Sequence, residues 1–339
     1  MVFALILLLL LAVSMLMNVG SLLGGVAGGH GRGARGAGPR LDEVVTEDND
    51  ASSKIAILEI GGVISSRNLD GGYNLVDLVK AQLKRAEDDK EVKAVILKVD
   101  SPGGEVLASD EIYRAIAAFQ TNAHKSVIAS MGNLAASGGY YVSAPCRWIV
   151  ANDLTITGSI GVIMHGLNYR GLMNKVGLRP EVYKSGKFKD MLSPEREDAD
   201  IPPEERAMVQ SLIDETYGKF KNVVAEGRKD AHTRNRNEGR ALAPDWASYA
   251  DGRVLSGSEA YRLGFVDQLG NFDDAVRRAK SIAGITEANL VEYRQRYDLS
   301  DFLHMFGRSE ARTIKVDLGL DPIKLQTGQL YFLAPTFLH

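Results

Sequence analysis

A single cysteine, Cys146, stands in a chain of 339 residues. One thiol cannot close an internal disulfide, so the sequence carries no disulfide framework and no firm sign of redox compartment. Cys146 follows Ala-Pro and precedes an apolar run, and reads as a small buried hydrophobe rather than a nucleophile. Metal and phosphate motifs are lacking too. There is no His-Glu-x-x-His, no Cys-x-x-Cys, no Asp-rich loop and no Gly-x-x-x-x-Gly-Lys phosphate loop. No metal and no cofactor are therefore expected. The net charge is only -3, and no basic stripe interleaves with aromatics, which argues against a nucleic-acid partner.

Histidine is scarce as well. A Ser-His-Asp enzyme needs a histidine within reach of its serine. Of the six, His30 lies in a glycine-rich stretch, His339 is terminal, His232 falls in a charged run read as a solvated loop, and His124 ends a helical pattern. Neither His304 nor any of these suits a base, and only His165, just after "TGSIGVIM", stays a candidate. What remains is ordinary globular composition, 45% hydrophobic and 24% charged.

The amino-terminal residues differ from that average. "MVFALILLLLLAVSMLM" is apolar but for one serine, and the first charged side chain is Arg32. About 20 apolar residues span a bilayer as a helix. Residues 1–26 are thus expected to be a transmembrane anchor or signal-anchor, with Gly25-Val26-Ala27 as a candidate cleavage site. Arg32, Arg35 and Arg40 follow the segment, which by charge alone favours a cytoplasmic body. Residues 27–53 read as a flexible tether, glycine-rich and then acidic.

From residue 54 onward, strand-like and helical patterns alternate. "KIAILEIGGVI" is an apolar run of strand length. "NLVDLVKAQLKRAEDD" puts Leu75, Leu78, Val79 and Leu83 on one helical face. "VKAVILKVD" is a second strand, "LASDEIYRAIAAFQTN" a second helix, "KSVIASMG" a third strand. "RWIVAND" and "TGSIGVIM" look like further strands. The alternation predicts an α/β fold. Pro202-Pro203 opens a long helical pattern over residues 203–226. The last residues, "GQLYFLAPTFLH", form an apolar tail that could fill a substrate groove of its own or a neighbouring chain.

Four stretches could carry chemistry. In "GNLAASGGYYVSAP", Ser137 sits among alanines and glycines that leave room for a substrate near Tyr140 and Tyr141, although small residues also serve helix packing. In "DSPGGEV", Gly103 and Gly104 let backbone N–H groups approach a ligand, because no Cβ intervenes. Two such donors make an oxyanion hole, and the N–H of Gly138 is a second candidate. A plain turn is the bland alternative. In "VYKSGKFKDMLSP", Lys184, Lys187 and Lys189 are candidate bases. A serine at its free pKa is a weak nucleophile, and a lysine serves as base when burial brings its pKa toward about 7–8. A solvated basic strand is the alternative. Ser159, in "TITGSIGVI", could orient a lysine head or be satisfied by backbone.

These motifs, followed by "GRVLSGSEAYRLGFVDQLG", occur in one order. Over residues 54–283 the sequence resembles the signal peptide peptidase (protease IV) family in its short, single-domain form. The resemblance implies a Clp protease/crotonase-like α/β fold of repeated β-β-α units, with the peptidase domain over residues 54–300 and a C-terminal extension over 301–339. It implies a Ser/Lys dyad: Ser137 as nucleophile, Lys189 of the Gly-x-x-Lys pattern as base with Lys187 as rival, and Ser159 orienting the lysine. Gly138, Gly104 and Gly103 are then the oxyanion donors. It further implies a membrane-anchored enzyme with its catalytic domain on the extracytoplasmic side, peptide or signal-peptide substrates, and a ring-like homo-oligomer. Glu105 stands where some relatives carry glycine. Alternatives are a catalytically silent membrane scaffold and an acyl-CoA hydratase-like enzyme on the same fold.

Overall fold

A computed structural model describes residues 38–67, 73–296 and 329–334. Strand β1 (Leu41–Glu47) leads into β2 (Lys54–Ile64), helix α1 (Leu75–Asp88), β3 (Val92–Glu105), α2 (Val106–Asn122), β4 (Ser126–Ala136) and α3 (Gly138–Ser143). Strands β5 (Trp148–Ala151), β6 (Ile156–Gly158) and β7 (Ile163–Met164) precede α4 (Arg170–Lys175) and the long α5 (Pro203–Arg234). Then come β8 (Val254–Ser256), α6 (Gly257–Arg262), β9 (Gln268–Leu269), α7 (Phe272–Ala283), β10 (Asn289–Gln295) and β11 (Leu330–Leu333).

The central sheet runs β1-β10-β2-β3-β4-β5-β9, parallel from β10 to β9. Its inner strands, β2 to β5, are largely apolar because both faces are covered. On one face Leu58, Val95, Leu97, Val99, Ala129 and Ile149 pack with α1, α2, α3 and α5. The alternate residues, Ile55, Ile57, Ile96, Ile128 and Val150, pack against Ala275 and Ala279 of α7. Helix ends are chemically marked. Asn74 caps α1 by accepting from the Asp77 N–H, and Asn271 with Asp274 forms a capping box on α7.

The α/β fold expected from the sequence is present, with a mixed sheet. The repeated two-strands-then-helix unit takes the form of long strands with a break in register. β4 pairs with β5 through its first half and with β6 through its last residues, Leu134–Ala136. Several expectations change. Residues 41–47, assigned to the tether, form β1 antiparallel to β10, with Val45 opposite Val291. The long helix continues to Arg234, so His232 lies in its last turn and not in a loop. "TGSIGVIM" divides into β6 and β7, and the basic stretch 182–194 forms turns rather than a strand. The anchor expected over residues 1–26 lies outside the described residues; among those described, no helix is long and apolar enough to cross a membrane.

Helix α5 is joined to the sheet by a buried charge pair. Arg228 and Asp267 are ion-paired with side chains 0% and 1% exposed. Arg228 also donates to the Cys146 carbonyl at 3.0 Å, and Asp267 accepts from the Ile149 N–H at 2.8 Å. Burial pushes the Cys146 thiol up to about 12, which keeps it neutral. Beside Arg228 on α5, Gly227 permits close approach to the end of α3: a Cβ there would stand 2.5 Å from the Ala144 carbonyl oxygen. A buried ion left without its partner costs more than the pair contributes. Asp267→Ala should therefore lower stability by about 3–5 kcal/mol in urea unfolding, and Arg228→Met in that background should recover part of the loss.

Candidate active site

Ser137 occupies the turn between β4 and α3. The small residues before it pair with β6, Ala135 opposite Thr157 and Ala136 opposite Gly158. The Ser137 N–H donates to the Gly158 carbonyl at 2.8 Å, and its own carbonyl accepts from the Tyr141 N–H at 2.8 Å. Between these two bonds the backbone takes φ 54°, ψ −116°. A non-glycine residue held at positive φ costs about 1–3 kcal/mol and persists where the surroundings over-determine it. The residue is 1% exposed, and its Oγ has no hydrogen-bond partner. An orphaned buried hydroxyl is uncommon in a folded chain and calls for a reason.

Ser159 lies at the equivalent end of the neighbouring strand. It too has positive φ, 49°, and its N–H donates to the Arg253 carbonyl at 2.7 Å. The β4–β6 register thus brings Ser137 and Ser159 to adjacent strand ends.

The glycines converge on the same place. At Gly103 (φ 99°) a Cβ would meet the Gly138 nitrogen at 2.6 Å and the Phe332 carbonyl oxygen at 2.0 Å. At Gly138 it would meet Ser109 Oγ at 2.7 Å, Gly103 Cα at 3.0 Å and the Gly104 nitrogen at 3.2 Å. No side chain fits at either position, so Gly103–Gly104 and the first residue of α3 are in backbone contact; the glycine pair is not a turn but the end of β3, paired with Val63 and Ile64 of β2. The Gly103 N–H donates to Ser101 Oγ at 3.1 Å, and that hydroxyl donates to the Gly62 carbonyl at 2.6 Å.

The lysines stand apart from this cluster within the single chain. Lys189 is exposed, in a turn closed by its N–H to the Gly186 carbonyl at 3.2 Å. Lys184 pairs with Asp190 at 2.8 Å and Lys187 with Glu204 at 3.5 Å. His165 is exposed just after β7. Because Ser137 Oγ has no partner, neither a lysine nor His165 bonds to it here.

Sequence reasoning missed the aromatic and acidic support beneath Ser137. Tyr141 stacks on Phe332 (centroids 4.8 Å apart) and meets Phe220 edge-on at 5.0 Å, while its hydroxyl donates to Asp110 at 2.8 Å. Tyr140 instead turns toward Phe265 and donates to its carbonyl at 2.8 Å. Asp110 also pairs with Lys219 at 2.8 Å and Arg114 at 2.7 Å. Burial pushes its carboxyl up, but the Lys219, Arg114 and Tyr141 hydrogen bonds outweigh that and hold it below the usual carboxylate range. Glu105 is likewise pushed up by burial and held down by donors from Ser66 and Ser65, at 2.6 Å and 2.9 Å for the two hydroxyls. The four-residue spacing of Asp110 and Arg114 was visible in the sequence; the Tyr141 partner was not, since it lies on another element.

Known proteins resemble this chain in sequence. The model of peptidase family S49 matches residues 119–286, and the Clp protease model matches residues 64–148. A protease-named protein of Synechocystis sp. is 38% identical over 271 residues, covering 79% of this chain and 88% of that one. A protein of Enterococcus faecium named for signal peptide peptidase SppA is 37% identical over 259 residues, 75% of this chain and 71% of that one. Among solved structures, a serine-to-alanine mutant of a membrane-bound stomatin-specific protease aligns with a TM-score of 0.42 and 15% identity, over 73% of this chain and all of that one.

The depressed Asp110 pKa has a consequence for stability. The carboxylate stabilises the fold above its unfolded-state value, about 3.9, and that contribution is lost as pH falls through the lower folded value. The gap in urea midpoint between wild type and Asp110→Asn should be widest at pH 7 and shrink as the pH drops from 5 to 3.

Proposed function

The chain belongs to peptidase family S49 and is a serine peptidase, and we propose that Ser137 is its nucleophile. The observation that carries this is the Ser137 turn: a strained, unpartnered hydroxyl enclosed beside three glycines that admit no side chain. Ser137 Oγ attacks the scissile carbonyl carbon while a base takes its proton. Gly138 and the backbone of Gly103–Gly104, at the end of β3, hold the oxygen as it becomes negative. The intermediate collapses to an acyl-enzyme and the amine leaves with the proton. Water, deprotonated by the same base, then releases the acyl product.

We assign the base to Lys189, oriented by Ser159, and place it on a neighbouring copy of the chain. The arm from Gly166 to Leu192 supports that placement. Leu167, Leu172, Val176, Leu178 and Tyr183 are all more than half exposed, Tyr183 at 93%. Contiguous exposed apolar residues mark an interaction surface. Packing this arm against a second copy in a ring-like homo-oligomer buries it, and a lysine acts as base once apolar surroundings disfavour its charge.

The physiological role follows from the amino terminus. Residues 1–26 have the length and apolarity of a bilayer anchor; the family resemblance, against the charge of Arg32, Arg35 and Arg40, favours the extracytoplasmic face for the catalytic body. Cleaved signal peptides left in the membrane are the substrates in this reading, in keeping with the name of the Enterococcus relative.

Cleavage of an unfolded protein in detergent tests the assignment. Ser137→Ala and Lys189→Ala should each reduce the rate by at least about 10⁴-fold, while Lys187→Ala and His165→Ala stay near wild type. Mixing the two inactive variants after dissociation should restore about a quarter of the wild-type sites, because a head-to-tail interface pairs an intact serine with an intact lysine at random. No recovery on mixing would place the dyad within one chain. An inactive wild type would favour a silent scaffold.

A further inference from the structure

The N–H of Gly103 is already committed inside the protein. Each backbone N–H is a single donor, and that of Gly103 donates to Ser101 Oγ at 3.1 Å. Ser101 is 0% exposed. Its hydroxyl carries one proton, and that proton goes to the Gly62 carbonyl at 2.6 Å. One buried side chain therefore ties the end of β3 both to the neighbouring strand and to its own backbone. The register shows why a side chain is needed there. Gly61 stands opposite Asp100 and Val63 opposite Gly103, so Ser101 and Pro102 together face Gly62 alone. Such a bulge leaves ladder groups unpaired, and Pro102 has no N–H to offer. The Ser101 hydroxyl takes the place of the missing donor.

The other edge of β3 slips as well. Val99 stands opposite Met131 and Ser101 opposite Ala135, so Asp100 faces three residues of β4. The Asp100 carboxylate accepts from one of them, the Leu134 N–H, at 3.1 Å. Two adjacent side chains thus bridge the two slips, just where the strand enters the site. Ser101 also touches the helix that bears the opposite donor. Its carbonyl oxygen lies 2.7 Å from where a Gly139 Cβ would be, and its β4 partner, Ala135, stands two residues before Ser137. The Gly104 nitrogen lies 3.2 Å from where a Gly138 Cβ would be. Of the three glycines, Gly104 and Gly138 are those whose N–H groups no described side chain accepts from.

We propose that Ser101 is a positioning residue for the oxyanion hole: by holding the Gly103 N–H within the protein it sets the peptide plane that follows, so that Gly104 and Gly138, and not Gly103, face the developing oxyanion. The inference rests on the reading of Ser137 as the nucleophile and removes one of the three donors considered for the hole. The Ser101 hydroxyl touches neither substrate nor reacting atoms, and its effect passes through Gly103. That effect belongs to the transition state, where the charge on the oxygen develops. Interactions made only there govern kcat and leave KM alone.

The test uses the full chain. Ser101→Ala should lower kcat for a fluorogenic peptide about 10²-fold, the order seen when one oxyanion donor is lost, with KM within about twofold. Partial unfolding also lowers kcat, so the deciding readout is an inhibition constant, which the folded fraction does not change. A peptide aldehyde, which Ser137 converts to a tetrahedral adduct, should lose about 10²-fold in Ki. The matching peptide alcohol, which forms no adduct, should keep its Ki. An aldehyde Ki equal to that of the wild type, or equal losses for aldehyde and alcohol, would overturn the proposal. A second measurement needs no variant to fold. In the wild type, with amide exchange read residue by residue by NMR, Gly103 should exchange slowly with or without the aldehyde, while Gly104 and Gly138 should slow when the adduct forms. Protection gained at Gly103 instead would make it the donor and overturn the role of Ser101. A wild type that neither cleaves nor forms the adduct defeats the Ser137 reading and the role of Ser101 with it. A wild type that does both, while Ser101→Ala matches its aldehyde Ki, defeats the role of Ser101 alone.

Discussion

The backbone contact between Gly103–Gly104, at the end of β3, and Gly138 is the constraint on which the rest of the structure depends. Two parallel strands, β3 and β4, end side by side, and the chain must leave each of them into a helix. At both exits the departing backbones are so close that a methyl group would overlap main-chain atoms. Glycine is the residue that tolerates both the approach and the positive φ at Gly103. The consequence is borne by Ser137, which has a side chain yet still adopts positive φ. The small residues of β4 and the bond to Gly158 hold it there. Strain of this kind is stored at functional sites because it fixes a reactive group in one orientation.

Such a turn stays in place only if the helices around it are immobile, and polar pairs supply much of that restraint. Asp110 on α2 gathers Tyr141 of α3 and Lys219 of α5. Arg228 and Asp267 tie α5 to the sheet beneath Cys146. Gly227 lets α5 touch the end of α3. Each is a contact between distant elements, and together they clamp the short helix that follows Ser137. Buried charges are costly to separate, so these pairs favour a single packing over near alternatives.

This division explains what was legible in the sequence. Period and composition revealed the βα alternation from residue 54, because both faces of the sheet are apolar and the helices are amphipathic. The order of the glycine, serine and lysine motifs pointed to the site, and the structure brings Ser137, Ser159, Gly103, Gly104 and Gly138 together. Strand β1 was missed because "LDEVVTE" is acidic and its partner, β10, lies more than 240 positions away. The end of α5 was misplaced because a buried arginine carries no apolar signal; Arg228 reads as a surface residue until Asp267 is beside it. The aromatic wall of Tyr141 and Phe220 and the strand that covers it depend on three elements far apart in sequence, and no local pattern encodes their meeting.

Within one chain Ser137 is buried, while Lys189 stands in water on an arm of exposed apolar side chains. On the dyad proposed above, the two halves of the chemistry meet only when that arm is covered. Apolar surface leaving water favours the covering, and the same burial disfavours the charged form of the lysine and so makes it a base. A chain whose arm is exposed would then hold a hydroxyl without a base, and the hydrophobic term that covers the arm would also switch on the chemistry.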